Sequence, residues 1–115
     1  MPFRTHEEYL ASIDPEPRKR LQDIQAEVER LLPQAVRCVS YNIPAFKDKR
    51  VFFYFAAFKK HIGIYPPVRD DLALIAATKP YRGPKGNLCF AHAKPLPLEL
   101  IGRVAVALAA QEASK

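Results

Sequence analysis

Val51-Phe52-Phe53-Tyr54-Phe55-Ala56-Ala57-Phe58-Lys59-Lys60-His61-Ile62-Gly63-Ile64-Tyr65 is two runs of aromatic and branched residues parted by a lysine pair. Such residues fit a pleated, half-buried surface, and a short polar break between two such runs reads as a β-hairpin. Successive side chains of a strand point to opposite faces, so Ile62 and Ile64 take one side and His61, Gly63 and Tyr65 the other. The isoleucine side is expected to build the core. Function is sought on the side of His61 and Tyr65.

Working outward, Arg37-Cys38-Val39-Ser40-Tyr41 is short and β-prone, Asn42 to Phe46 breaks it with Pro44, and Lys47 to Arg50 reads as a polar turn. Near the start, Thr5 stands three residues before Glu8, a capping box that opens a short helix with Tyr9, Leu10 and Ile13 on its apolar side. Asp14-Pro15 repeats the start signal, Leu21, Ile24, Val28 and Leu31 recur at helical spacing, and Pro33 stops the run. Past the hairpin, Pro66-Pro67 ends the strand and Val68 to Thr78 reads as a helix with Leu72, Ile75 and Ala76 inward. A basic loop, Lys79 to Gly86, leads to a strand over Asn87 to Ala91, and Pro95-Leu96-Pro97 opens a helix through Gln111 that is apolar almost all round. Helices at both ends with antiparallel strands between them predict one α+β domain over residues 1–115. It is a two-layer sandwich with the N-terminal and C-terminal helices packed on one face of the sheet.

At 115 residues, with 49% hydrophobic and 26% charged residues, the composition is that of a globular chain. The net charge of +6 is uneven: residues 1–36 hold five Lys/Arg against seven Asp/Glu, and residues 37–115 hold thirteen against five. A basic body invites anionic partners. No stretch is apolar over the roughly 18 residues a membrane span needs, and Met1 to Glu8 lacks the apolar run of a leader, so a cytoplasmic protein with no membrane partner is expected. Cys38 and Cys89, each inside an apolar segment, suit reduced, buried thiols.

Three ordered segments resemble a known family: Ser40-Tyr41-Asn42-Ile43-Pro44-Ala45-Phe46, then Phe55 to Pro66, then Lys85-Gly86-Asn87-Leu88-Cys89-Phe90 ahead of a Pro-Leu-Pro-Leu helix start. Together they are similar to the YdhG-like family, bacterial domains largely of unknown function, over about Tyr9 to Leu108. The resemblance implies an α+β two-layer sandwich and no catalytic residues. In some Bacillus members it implies a frataxin-like role as an intracellular iron chaperone. The acids available for that role are Glu7, Glu8, Asp14, Glu16, Asp23, Glu27 and Glu29, interrupted by Arg18, Lys19, Arg20 and Arg30.

The residues themselves show no complete catalytic or metal motif. Three or four converging His, Cys or carboxylate ligands, commonly two at short spacing, would mark a tight metal site, and His6, His61 and His92 stand far apart in sequence. Ser40 has no base signalled beside it, and Gly83-Pro84-Lys85-Gly86 has the wrong spacing for a phosphate loop. No cofactor is expected, and no enzyme. The expectation is a non-enzymatic binding or carrier domain that holds a small anionic ligand or a protein partner on its open sheet face. Tyr41, Phe46, Lys59, His61, Tyr65 and Lys85 are the candidate lining. The alternatives are an iron chaperone with weak iron binding and, as a lesser reading from charge plus aromatics, a single-stranded nucleic-acid module. A homodimer through the same face is a further candidate.

Overall fold

A computed structural model describes residues 2–84 and 86–114. Two helices, α1 (His6–Ala11) and α2 (Pro15–Leu31), precede four strands, β1 (Val36–Ser40), β2 (Ile43–Asp48), β3 (Arg50–Ala57) and β4 (His61–Tyr65). Then come α3 (Leu72–Thr78), a 3-10 turn at Lys79–Tyr81, β5 (Leu88–Ala91) and α4 (Leu98–Ala113). The strands form one antiparallel sheet in the order β1-β2-β3-β4-β5, and the expected α+β sandwich is what the chain adopts.

The N-cap forms as the sequence signals, with Thr5 Oγ1 accepting from the Glu8 amide at 3.1 Å, while the Glu8 carboxylate reaches one residue further back than a capping box requires and accepts from the Arg4 amide at 2.6 Å. Leu21, Ile24 and Val28 of α2 and Ile101, Val104 and Leu108 of α4 are wholly buried. They pack with Phe46, Phe53, Phe55, Ile62 and Ile64 from one face of the sheet. Burying each such side chain stabilises the fold by about 1.5–3 kcal/mol. The two helices approach closely at Gly102, where a Cβ would stand 2.6 Å from the Leu31 side chain.

Four expectations are corrected. Asn42 to Phe46 is not a break: only Tyr41 and Asn42 turn the chain, with positive φ of 52° and 61°, and β2 begins at Ile43. Pro44 is tolerated because the β2–β3 ladder begins at Ala45, one residue past the missing N–H. The polar turn at Lys47 to Arg50 shrinks to Lys49 (φ 62°), with Asp48 paired to Arg50, and a register shift between Phe46 and Lys47 accompanies the burial of consecutive Phe52 and Phe53. Helix α3 starts only at Leu72, capped by Asp71, whose carboxylate accepts from the Leu74 amide at 3.0 Å. That phase turns Leu74 and Thr78 inward and leaves Leu72 and Ala76 exposed, so of the expected inner set of Leu72, Ile75 and Ala76 it is Ile75 that packs against the core. On α4, Val106 is exposed, so that helix is one-sided rather than apolar all round.

Cys38 and Cys89 are free and lie on β1 and β5, the two edges of the sheet, about 19 Å apart at the usual strand spacing. Among the described residues no helix is long and apolar enough to cross a membrane.

Candidate functional site

The register of the β3–β4 hairpin builds the site. Phe58 donates its amide to the His61 carbonyl at 2.8 Å across the Lys59-Lys60 turn, and this places Tyr54 opposite Tyr65, Ala56 opposite Gly63, and Phe55 opposite Ile64. Phe55 and Ile64 enter the core, so Tyr54, Gly63 and Tyr65 share the face that carries no helix. The β1–β2 hairpin adds Tyr41 at its tip, 88% exposed, with its ring 5.9 Å from that of Tyr54. Tyr41, Ile43, Tyr54 and Tyr65 line an apolar groove of about 310 Å³.

A second ring cluster lies at the other end of β4. His61 stacks on Phe58 at 5.1 Å with 24° between the planes, and His92 Nε2 donates to the Phe58 carbonyl at 2.8 Å, pinning the turn. The two clusters meet above Gly63. A Cβ there would lie 2.9 Å from the Phe58 ring and 2.9 Å from the Tyr65 hydroxyl, so glycine is what lets both rings lie down on the sheet. Burial pushes the Tyr65 phenol above its ordinary range, with Cys89 adding to the shift.

Of the six candidate residues, Tyr41 and Tyr65 line one groove and His61 belongs to the neighbouring cluster. Lys59 sits in the β3–β4 turn and lines a different hollow of about 410 Å³, shared with Asp14, Glu16, Phe58 and His92. Phe46 is corrected out of the site. It is fully buried, stacked on Phe55 at 5.7 Å, because it pairs with Phe53 and so points to the helices. Lys85 lies outside the described residues. The sequence reading did not pick out Tyr54, Ile43, Phe58 or Gly63 for the site. Tyr54 and Phe58 were within reach of a count back from the two-residue Lys59-Lys60 turn, which sets the pairing.

His6, in the first turn of α1, is 1% exposed. Its Nε2 lies 2.9 Å from both the Cys38 and the Ala45 carbonyl oxygens, so that nitrogen carries the proton. Nδ1 then accepts from the Gln25 amide at 2.8 Å. The imidazole is thereby a tie between α2 and the β1–β2 hairpin that holds Tyr41.

Charge separates the two layers. The ion pairs Lys19–Asp23, Arg30–Glu27, Arg37–Glu7 and Arg37–Glu29 all involve helix acids. Among the described residues the exposed cations of the sheet side, Lys47, Lys49, Arg50, Lys59, Lys60 and Arg82, form no ion pair. Also among the described residues, no group of three or more His, Cys, Asp or Glu side chains is placed to hold a metal ion.

No protein-family model and no curated protein matches the chain. A solved structure does: YdhG of Bacillus subtilis, of the DUF1801 family, at a TM-score of 0.78 and 21% identity, covering 95% of this chain and 91% of that one. The fold is shared, and the likeness supports the YdhG-like resemblance read from the motifs.

Proposed function

We propose that this chain, with its YdhG-like fold, is a non-enzymatic binding domain that takes a planar anionic ligand on its open sheet face. The observation that carries the reading is the tyrosine groove of Tyr41, Ile43, Tyr54 and Tyr65, open to solvent on the side where, among the described residues, exposed lysines and arginines form no ion pair. Tyrosine rings offer flat apolar contact at little entropic cost, and unneutralised cations draw an anion toward them. Among the described residues Ser40 Oγ hydrogen-bonds the Tyr54 hydroxyl, at 3.5 Å, and Cys89 Sγ the Asn87 amide, at 3.6 Å. Neither partner is a base that activates a nucleophile, which favours binding over catalysis.

The iron-chaperone reading has less to rest on. Glu7 and Glu29 are occupied by Arg37, Glu27 by Arg30 and Asp23 by Lys19. Iron would have to displace these cations.

The test is saturation-transfer NMR with benzoate and a nucleoside monophosphate as probes. Both should receive magnetisation from tyrosine ring protons in the parent protein and lose most of it in Tyr65→Ala. Transfer that survives Tyr65→Ala undiminished, or none to either probe, would remove the reading.

A further inference from the structure

The rings of the open face form a path rather than a single pocket. Tyr41 leads to Tyr54 at 5.9 Å, Tyr54 pairs across strands with Tyr65, Tyr65 and Phe58 converge above Gly63, and Phe58 stacks on His61 at 5.1 Å. His61 and Tyr65 stand four residues apart on β4, about 13 Å along the strand. A single small ring fills one cluster and leaves the other bare. A chain of linked rings fills both, because binding at the first raises the effective concentration at the second.

The cations flank this path on both sides. Lys47, Lys49 and Arg50 belong to β2, β3 and the turn between them, and Lys59 and Lys60 to the turn beside Phe58. Arg82 bridges to Leu88 beside β5. The chain's acids, apart from Asp48, lie on the helices or the segments that lead into them. A ligand with several negative charges and several flat rings therefore fits this face. The position of Tyr41 agrees. It occupies the first place of a two-residue turn at φ 52°, where asparagine or glycine is favoured, and a bulky side chain in the left-handed region is a constraint that functional surfaces often retain.

We infer that the open face binds single-stranded nucleic acid, with bases stacked on the Tyr41–Tyr54–Tyr65 and Phe58–His61 clusters and phosphates among the flanking lysines. The inference rests on the proposed function above and names its ligand class. A single strand is required because a duplex hides its base faces, and stacking on exposed aromatics beside a basic groove is how sequence-tolerant single-strand recognition works. Phosphate contacts make such binding salt-dependent.

The experiment is fluorescence anisotropy with a dye-labelled oligodeoxythymidylate of about eight nucleotides, within the usual site size. Thymidine monophosphate and a duplex of equal length serve as competitors over a salt series, and benzoate NMR runs in parallel. The oligonucleotide is expected to bind at least about tenfold more tightly than the mononucleotide and to resist competition by duplex. Tyr65→Ala and Tyr41→Asn should each weaken it about tenfold while the protein stays folded by far-UV circular dichroism, and Lys59→Gln with Lys60→Gln should flatten the salt slope. Tyr41 is at an exposed turn tip, so its variant keeps the fold even if changes on the strand do not. Duplex that competes as well as single strand would overturn the inference. So would an oligonucleotide that binds no better than the mononucleotide while benzoate still needs Tyr65, an outcome that leaves the small-ligand reading standing. Absence of binding by oligonucleotide, mononucleotide and benzoate together would overturn both.

Discussion

Replacing His6 by leucine tests the tie between helix and hairpin. The change orphans the Gln25 amide, which is 7% exposed, and removes the shared donor of the Cys38 and Ala45 carbonyls. A buried donor left without a partner costs about 1–3 kcal/mol and the lost hydrogen bond about 1 kcal/mol. The edge-on contacts of the imidazole with Phe46 and Phe55, at 5.4 and 5.6 Å, are replaced in part by leucine's own apolar contacts. His6→Leu should therefore destabilise by about 2–4 kcal/mol, a large share of the roughly 5–15 kcal/mol that holds a domain together. The polar pair is then removed as a unit. In His6→Leu with Gln25→Leu no amide is stranded, so the double variant should recover about 1–2 kcal/mol relative to the sum of the singles. Urea unfolding followed by far-UV circular dichroism on the four proteins of the cycle measures this. Additivity within about 0.5 kcal/mol would show that His6 and Gln25 do not depend on each other, and the reasoning would fall.

Phe46 and Tyr41, both placed in the binding face by the sequence, should now part company. Phe46→Ala should cost about 3–5 kcal/mol of stability as a core truncation, whereas Tyr41→Asn should raise the unfolding free energy measured in urea slightly, by about 0.5–1 kcal/mol, because asparagine visits the left-handed region more readily; equal effects of the two would contradict their placement. At alkaline pH, burial holds the Tyr9 and Tyr65 phenols above 10.0, so the unfolded chain loses these protons first. Stability from this source is fully present below pH 10.0 and falls as pH rises through the folded values. Tyr65→Phe should show a shallower alkaline decline of the urea midpoint than the parent, and an identical decline would show that Tyr65 is not among the groups responsible.

The β3–β4 hairpin was legible to within a residue, since a two-residue turn with β-prone runs on either side leaves one register in which Ile62 and Ile64 face inward. The helices were legible too, because Leu21, Ile24 and Val28 recur with the period of a single buried stripe. The segment Asn42 to Phe46 was misread because proline is a strong local breaker, and only the neighbouring strands reveal that Pro44 pairs with Val39 of β1 yet precedes the β2–β3 ladder, which begins at Ala45. Phe46 was misplaced for the same reason: a residue outside any recognised strand has no defined face.

What the sequence determined by itself was the class of fold and the existence of two unlike sheet faces, because hydrophobic period and turn residues act over a few neighbours. What only the tertiary structure decided was which rings share a surface. Tyr41 reaches Tyr54 by strand pairing, Phe58 reaches Tyr65 by the bare backbone of Gly63, and His6 reaches two carbonyls on separate strands. These contacts join residues distant in the chain or depend on the room a neighbour leaves. They are set by the order and register of the strands and by the packing of helices on one side, which no local pattern encodes.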